Sequence, residues 1–276
     1  MRVLDSDPGA LNSNALRRAS DRRFGKIGAA SALLLVLTFG TGCGNDPQAS
    51  ENAQPAERFA RSTYPTGPWV EESEFPKPSP ESPMMVIREV TQYAPGTEPT
   101  SEQAKAAQEL IESCYESAIR NGWNDYDTGL ADGFEPPPRD PRHFRNREFM
   151  LDSEILDPDR PEVLMYYPTV GGKMELVGFM FTASSRSQWG PQPGGPLTVW
   201  HYHIWRKKQC VDRGVISLGF VDADEKCETG VGYHRSLEMM HVWLIDHPQG
   251  PFATPMALPQ DFVEEGIAKR KRERGF

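Results

Sequence analysis

The sequence predicts an α+β fold, with an N-terminal helix preface packed on a mainly antiparallel β-sheet or small sandwich. Three observations predict it. One strongly periodic helix opens the folded region, strand-like runs follow it, and proline is too abundant for a helix bundle. The chain has 276 residues, of which 25 are Pro and 24 are Gly. An interior proline costs a helix about 3 kcal/mol, whereas short strands, turns and an unstructured stretch tolerate both residue types. A formal charge of −9 argues against nucleic acid as a partner. A mean hydropathy of −0.57 excludes a polytopic membrane protein.

Residues 1–42 read as a lipoprotein signal peptide. Arg2, Arg17, Arg18, Arg22, Arg23 and Lys26 precede an apolar run from Ile27 to Phe39. That run is shorter than the ~20 residues a membrane-spanning helix needs. Gly40-Thr41-Gly42 then leads into Cys43, an order that matches a basic segment, a short apolar segment and a small-residue cleavage site. The stretch resembles the lipobox of bacterial lipoproteins, with Gly40 where that family prefers Leu. The resemblance implies that Cys43 is lipidated and anchors the protein at the cell envelope. The alternative is an uncleaved anchor helix. Removing residues 1–42, with six basic and three acidic side chains, takes the net charge from −9 to −12. An anionic membrane surface repels such a body, so lipid rather than charge provides the attachment.

Residues 43–83 are rich in Pro, Ser and Glu without apolar period and read as a disordered tether. Residues 84–262 read as a single α+β domain. Met84 to Ile87 is a first short strand. Thr100 and Gln103 make a capping-box pattern, and Ala104, Ala107, Ile111, Cys114 and Ala118 follow on one helical face up to an Asn121-Gly122 stop. A short second helix covers 124–130. Pro136-Pro137-Pro138 and Pro141 exclude helix beyond it. Val163–Tyr167 and Met174–Phe181 form a hairpin around Gly171-Gly172. Leu197–Trp205, Val215–Phe220 and Met239–Ile245 are further strands. Residues 263–276 form a basic tail and read as a solvated end.

All six histidines lie between His143 and His247. Side chains alternate along a strand, so His201 and His203 share a face with Val199 and Trp205. His241 lies on a second strand with Met239 and Trp243. The strings His203-Ile204-Trp205 and His241-Val242-Trp243 echo each other. If the two strands are neighbours, three imidazoles converge, with His143 as a fourth group, and can hold a divalent metal such as zinc. Two other readings stay open: hydrogen-bonded structural histidines and a metal-free acid–base site. His234 and His247 read as surface loop residues. Glu148, Asp152, Glu154, Asp157 and Asp159 are a solvated acidic loop or the source of one further ligand. Cys210 and Cys227 flank a strand and are natural disulfide partners in an oxidising compartment. Cys114 reads as a buried free thiol. No G-x-S-x-G, P-loop, H-E-x-x-H or C-x-x-C pattern is present.

Several strings together carry a further resemblance. They are His143-Phe144-Arg145-Asn146, Pro161-Glu162-Val163-Leu164-Met165-Tyr166, Leu176-Val177-Gly178-Phe179-Met180-Phe181, Trp200-His201-Tyr202-His203 with Cys210, and Met239-Met240-His241-Val242-Trp243 with Pro248-Gln249-Gly250-Pro251-Phe252-Ala253. Between about Tyr115 and Ala253 the chain resembles a family of secreted bacterial proteins marked by W-H-x-H and M-x-H-V-W…P-x-G-x-F-A. The resemblance implies no activity. It separates His143, His201, His203 and His241 from the other two histidines. In the commoner variant of the pattern H-Y-D-L precedes H-V-W. Here Leu237-Glu238-Met239-Met240 stands there, so ligands drawn from that variant do not transfer.

These readings give a membrane-tethered lipoprotein with a histidine-rich, metal-binding β domain of unassigned reaction. The alternative is a non-enzymatic envelope binding or structural module that uses a Trp-rich face of Trp189, Trp200, Trp205 and Trp243. In either reading the membrane is met through the N-terminal lipid.

Overall fold

The computed structural model describes residues 86–136 and 142–276. The signal peptide, Cys43 and the 43–83 tether lie outside the described residues. No helix within the described residues is long and apolar enough to cross a membrane.

Among the described residues, nine strands form one antiparallel sheet, in the order β1-β6-β9-β5-β4-β3-β2, with β7 and β8 also pairing β6. The strands are β1 Val86–Val90, β2 Phe134–Glu135, β3 His143–Asn146, β4 Val163–Pro168, β5 Met174–Thr182, β6 Trp200–Asp212, β7 Ile216–Phe220, β8 Val231–Arg235 and β9 Met239–Trp243. The helices are α1 Ser101–Arg120, α2 Tyr126–Ala131 and α3 Gln260–Arg274. The mainly antiparallel α+β expectation agrees with this architecture. β2, β3 and β8 were not anticipated, because a proline-rich surrounding and a run of polar residues mask their alternation.

α1 starts as its sequence dictates. Thr100 accepts from the Gln103 backbone at 3.2 Å, and the Gln103 side chain accepts from the Thr100 backbone at 2.9 Å. Its buried face, Ala107, Leu110, Cys114 and Ala118, packs on one side of the sheet against Leu164, Phe179, Phe181, Trp200 and Val242. The other side of the sheet carries Val163, Met165, Val177, Met180 and Trp243. Pairing passes from Tyr166↔Leu176 to Met165↔Gly178. Val177 is therefore an extra residue, a β-bulge that shifts the alternation by one, so that Leu176 and Phe179 face the same side.

α3 corrects the reading of residues 263–276 as a solvated tail. Val263 and Ile267 are buried one turn apart in the second core. The basic residues are engaged: Lys271 donates to Glu175 at 2.7 Å, Lys269 pairs Asp246 at 2.6 Å, and Arg270 is buried and donates to the Leu176 carbonyl. Long charged side chains bury their stems while their heads reach partners, so two apolar residues suffice to dock the helix.

A Cys210–Cys227 disulfide ties β6 to the loop after β7. A buried ion pair, Arg235 Nη2 to Glu238 Oε1 at 2.9 Å, spans the β8–β9 connection. Glu238 also accepts from the Gly190 backbone at 3.0 Å, and the Arg235 guanidinium lies 4.0 Å over the Tyr202 ring.

Candidate functional site: a histidine cluster on the concave face

Strand order decides which histidines meet. β9 lies between β6 and β5, with His201 directly opposite Met239 and His241 directly opposite Met180. The ring centroids of His201 and His241 are 4.8 Å apart, and those of His201 and His203 are 5.5 Å apart. His143, on β3, stacks on His241 at 5.8 Å with the ring planes 24° apart.

The last contact demands a curved sheet. β3 and β9 are separated by β4 and β5, and strands about 4.8 Å apart put them roughly 14 Å apart on a flat sheet. Rings at 5.8 Å require the histidine face to be concave. Gly178 permits this closure. It lies between Met165 and Trp243 in the register. A Cβ there would collide with Met165 Cε and with the Val242 carbonyl.

His241 is oriented by a loop. Gly250, in the left-handed region at φ 92°, turns the chain after β9. The Pro251 carbonyl accepts from the Trp243 backbone at 2.8 Å, and the chain folds back over the strand. The Ala253 carbonyl then accepts from His241 Nδ1 at 3.1 Å and from Trp243 Nε1 at 2.8 Å. A carbonyl only accepts, so Nδ1 carries the proton and Nε2 carries the lone pair. Nε2 is buried and has no hydrogen-bond partner among the described residues. Burial, the nearby His143 and other imidazoles push the His241 pKa down to about 3 against the Ala253 bond, which raises it. The ring is neutral.

His201 is 1% exposed, and both its ring nitrogens lack hydrogen-bond partners among the described residues. Burial, then the His241, His203 and His143 rings, hold its pKa well below the usual imidazole value. A neutral imidazole has one donor and one acceptor nitrogen, so His201 leaves one of each unsatisfied. Each such buried group costs about 1–3 kcal/mol. His203 is half-buried beside Trp205 and forms the rim.

Among the described residues, no three His, Cys, Asp or Glu side chains stand where they hold one ion. The imidazoles share one face without a ready-made three-residue ligand set.

The other two histidines are not surface loop residues. His234 lies on β8 with Nδ1 3.0 Å from the Trp205 carbonyl. His247 is buried, 4.9 Å from Trp243. Its Nδ1 accepts from the Gln249 backbone at 3.1 Å and its Nε2 donates to the Pro255 carbonyl at 3.1 Å. Both nitrogens are used, and the ring is structural.

Four of the five acidic-loop carboxylates are engaged elsewhere. Asp159 accepts from Ser117, Asn121 and Arg120, while Asp152 and Glu148 pair Arg160. Asp152 and Asp157 cap their own loop through the backbones of Glu154 and Asp159. Cys114 lies on the α1 side of the sheet, and burial raises its thiol pKa, so no thiolate reaches the histidines. The four tryptophans do not share one face of the sheet. Trp200 is buried against α1, while Trp243 is buried on the opposite face. Trp205 shares the histidine face, because alternation turns it away from Trp200.

A cleft of about 590 Å³ is lined by Glu89, Ala104, Ile111, Leu197, Val199 and Thr254 among others, and by no histidine. Register places Glu89 directly opposite His201 on the side away from Met239.

Sequence reasoning missed Gly178 and the Ala253 carbonyl. The P-x-G-x-F-A string was the available signal for the second, since a glycine between two prolines marks a turn. Comparison with protein-family models, with curated proteins and with solved structures found no match.

Proposed function

We propose that this chain is an exported bacterial lipoprotein, anchored by lipid on Cys43, whose domain holds a transition-metal ion on the histidine face. One observation carries the metal reading. His241 donates Nδ1–H to a backbone carbonyl and keeps a buried Nε2 lone pair without a partner, 4.8 Å ring to ring from His201. Metal-binding histidines are commonly oriented in this way by a carbonyl on the second nitrogen. An ion supplies what the unpartnered nitrogens lack. Rotation of the rings about χ2 is the adjustment that binding requires. The nitrogens are sealed from solvent, which favours holding an ion over exposing an open coordination position.

Elemental analysis of the full chain purified in detergent tests this reading. Stoichiometric metal in the parent protein, lost in His201→Ala and His241→Ala, is the expected result. No metal after loading with first-row divalent ions and copper would end it. The anchor is tested separately. Cys43→Ala should move the protein out of the membrane fraction or block processing, and unchanged retention and mobility would overturn lipidation.

A binding-module reading has a specific observation of its own, the cleft beside Glu89. Its volume is that of a small-molecule site.

A further inference from the structure

We propose that the ion held on the concave face is copper(I), bound by His201 and His241 with thioether support from Met239 and Met180. This rests on the metal reading above and goes further by naming the ion and the sulfur ligands.

The strand register carries the inference. Each buried histidine of the cluster stands directly opposite a methionine: His143 opposite Met165, His241 opposite Met180, and His201 opposite Met239. Directly opposed residues share a face with Cβ atoms about 4.5–5.5 Å apart. A flexible thioether thus lies within reach of each imidazole. Met165 and Met180 are buried in the same core as Trp243, and Met239 packs against it.

The chemistry of this donor set is soft. Thioethers select copper(I), while imidazole serves zinc and copper alike. Zinc favours four ligands drawn from thiolate, imidazole and carboxylate. Among the described residues no three such groups stand around one point. Copper(I) accepts fewer ligands, and two imidazoles with a thioether satisfy it. Burial acts in the same direction. The penalty for placing an ion in an apolar medium rises with the square of its charge, so a dry pocket favours a monovalent ion. Glu89 is the hard donor that register sets beside His201, and it is exposed at the cleft.

The test uses the full chain in detergent under anaerobic, reducing conditions. Copper(I) is titrated against bicinchoninate, and zinc against a zinc-sensitive chelator in parallel. The parent protein should retain one equivalent of copper(I). Joint Met180→Leu and Met239→Leu replacement should weaken retention at least tenfold, and Glu89→Gln should leave it unchanged. Zinc retained with copper(I) refused would overturn the proposal while leaving the metal reading standing. So would copper(I) retained equally by the doubly substituted protein, or lost on Glu89→Gln. Neither ion retained would defeat both. If the doubly substituted protein does not fold, X-ray absorption of the copper(I)-loaded parent decides: a copper–sulfur scattering shell is expected, and nitrogen-only scattering overturns the assignment.

Discussion

His241 Nδ1 and the Ala253 carbonyl are 3.1 Å apart, and this contact sets the protonation pattern of the histidine face. The carbonyl holds the proton on Nδ1 and leaves the Nε2 lone pair toward the buried side of the ring. Nitrogen-15 NMR of the metal-free protein should therefore show His241 as the Nδ1–H tautomer and neutral down to about pH 4, given a pKa of about 3. Titration of that ring near pH 6.5 would contradict the geometry.

The same burial links stability to acid. His201 and His241 have folded pKa values below the unfolded value of about 6.5, so the unfolded chain binds more protons below that pH. Stability of the metal-free protein should be flat above about pH 7. It should fall as pH drops from about 6.5, by about 2 kcal/mol for His241 at pH 5. Denaturant melts at pH 7.5, 6.5 and 5.5 check this, and His241→Phe should flatten the profile. A stability that rises over that interval would reverse the sign.

Gly178 should tolerate no side chain. A Cβ at that position meets Met165 Cε and the backbone of β9, and overpacking of a filled core costs about 1–3 kcal/mol. Gly178→Ala should lower the thermal midpoint and separate His143 from His241. A neutral substitution would show that the concave face has slack.

Two ion pairs should differ sharply. Glu238 and Arg235 side chains are 2% and 4% exposed, and removing one partner of a buried pair costs about 3–5 kcal/mol. Lys105 and Glu109 are 78% and 39% exposed, where a pair contributes about 0–1 kcal/mol. Chemical denaturation of Glu238→Ala against Lys105→Ala measures the contrast. Equal effects would mean that the Arg235–Glu238 pair does not hold the β8–β9 connection.

The disulfide has a local role. The two cysteines are 17 residues apart, and closing a loop of that size contributes about 3 kcal/mol in the chain-entropy model. Cys227→Ala should lose stability of that order, and non-reduced peptide mapping should show the linkage in the parent.

Much of the frame was legible in the sequence because it depends on short-range geometry. The capping box of Thr100 and Gln103 starts α1 by local hydrogen bonds alone. Strand alternation put His201, His203 and Trp205 on one face before any partner strand was known. The Gly171-Gly172 turn set the β4–β5 hairpin, and the spacing of Cys210 and Cys227 around one strand suggested their pairing. The rest required long-range contacts. Strand order put β9 against β6 and so His241 beside His201. Sheet curvature, with Gly178 leaving room, drew His143 across two intervening strands. α3 was hidden because its basic side chains look solvated until Glu175, Asp246 and Glu112 are brought opposite Lys271, Lys269 and Arg274. The chain's local pattern determined which faces its side chains occupy. Only the tertiary structure decided which of those faces meet, because pairing order and curl depend on residues far apart in the chain.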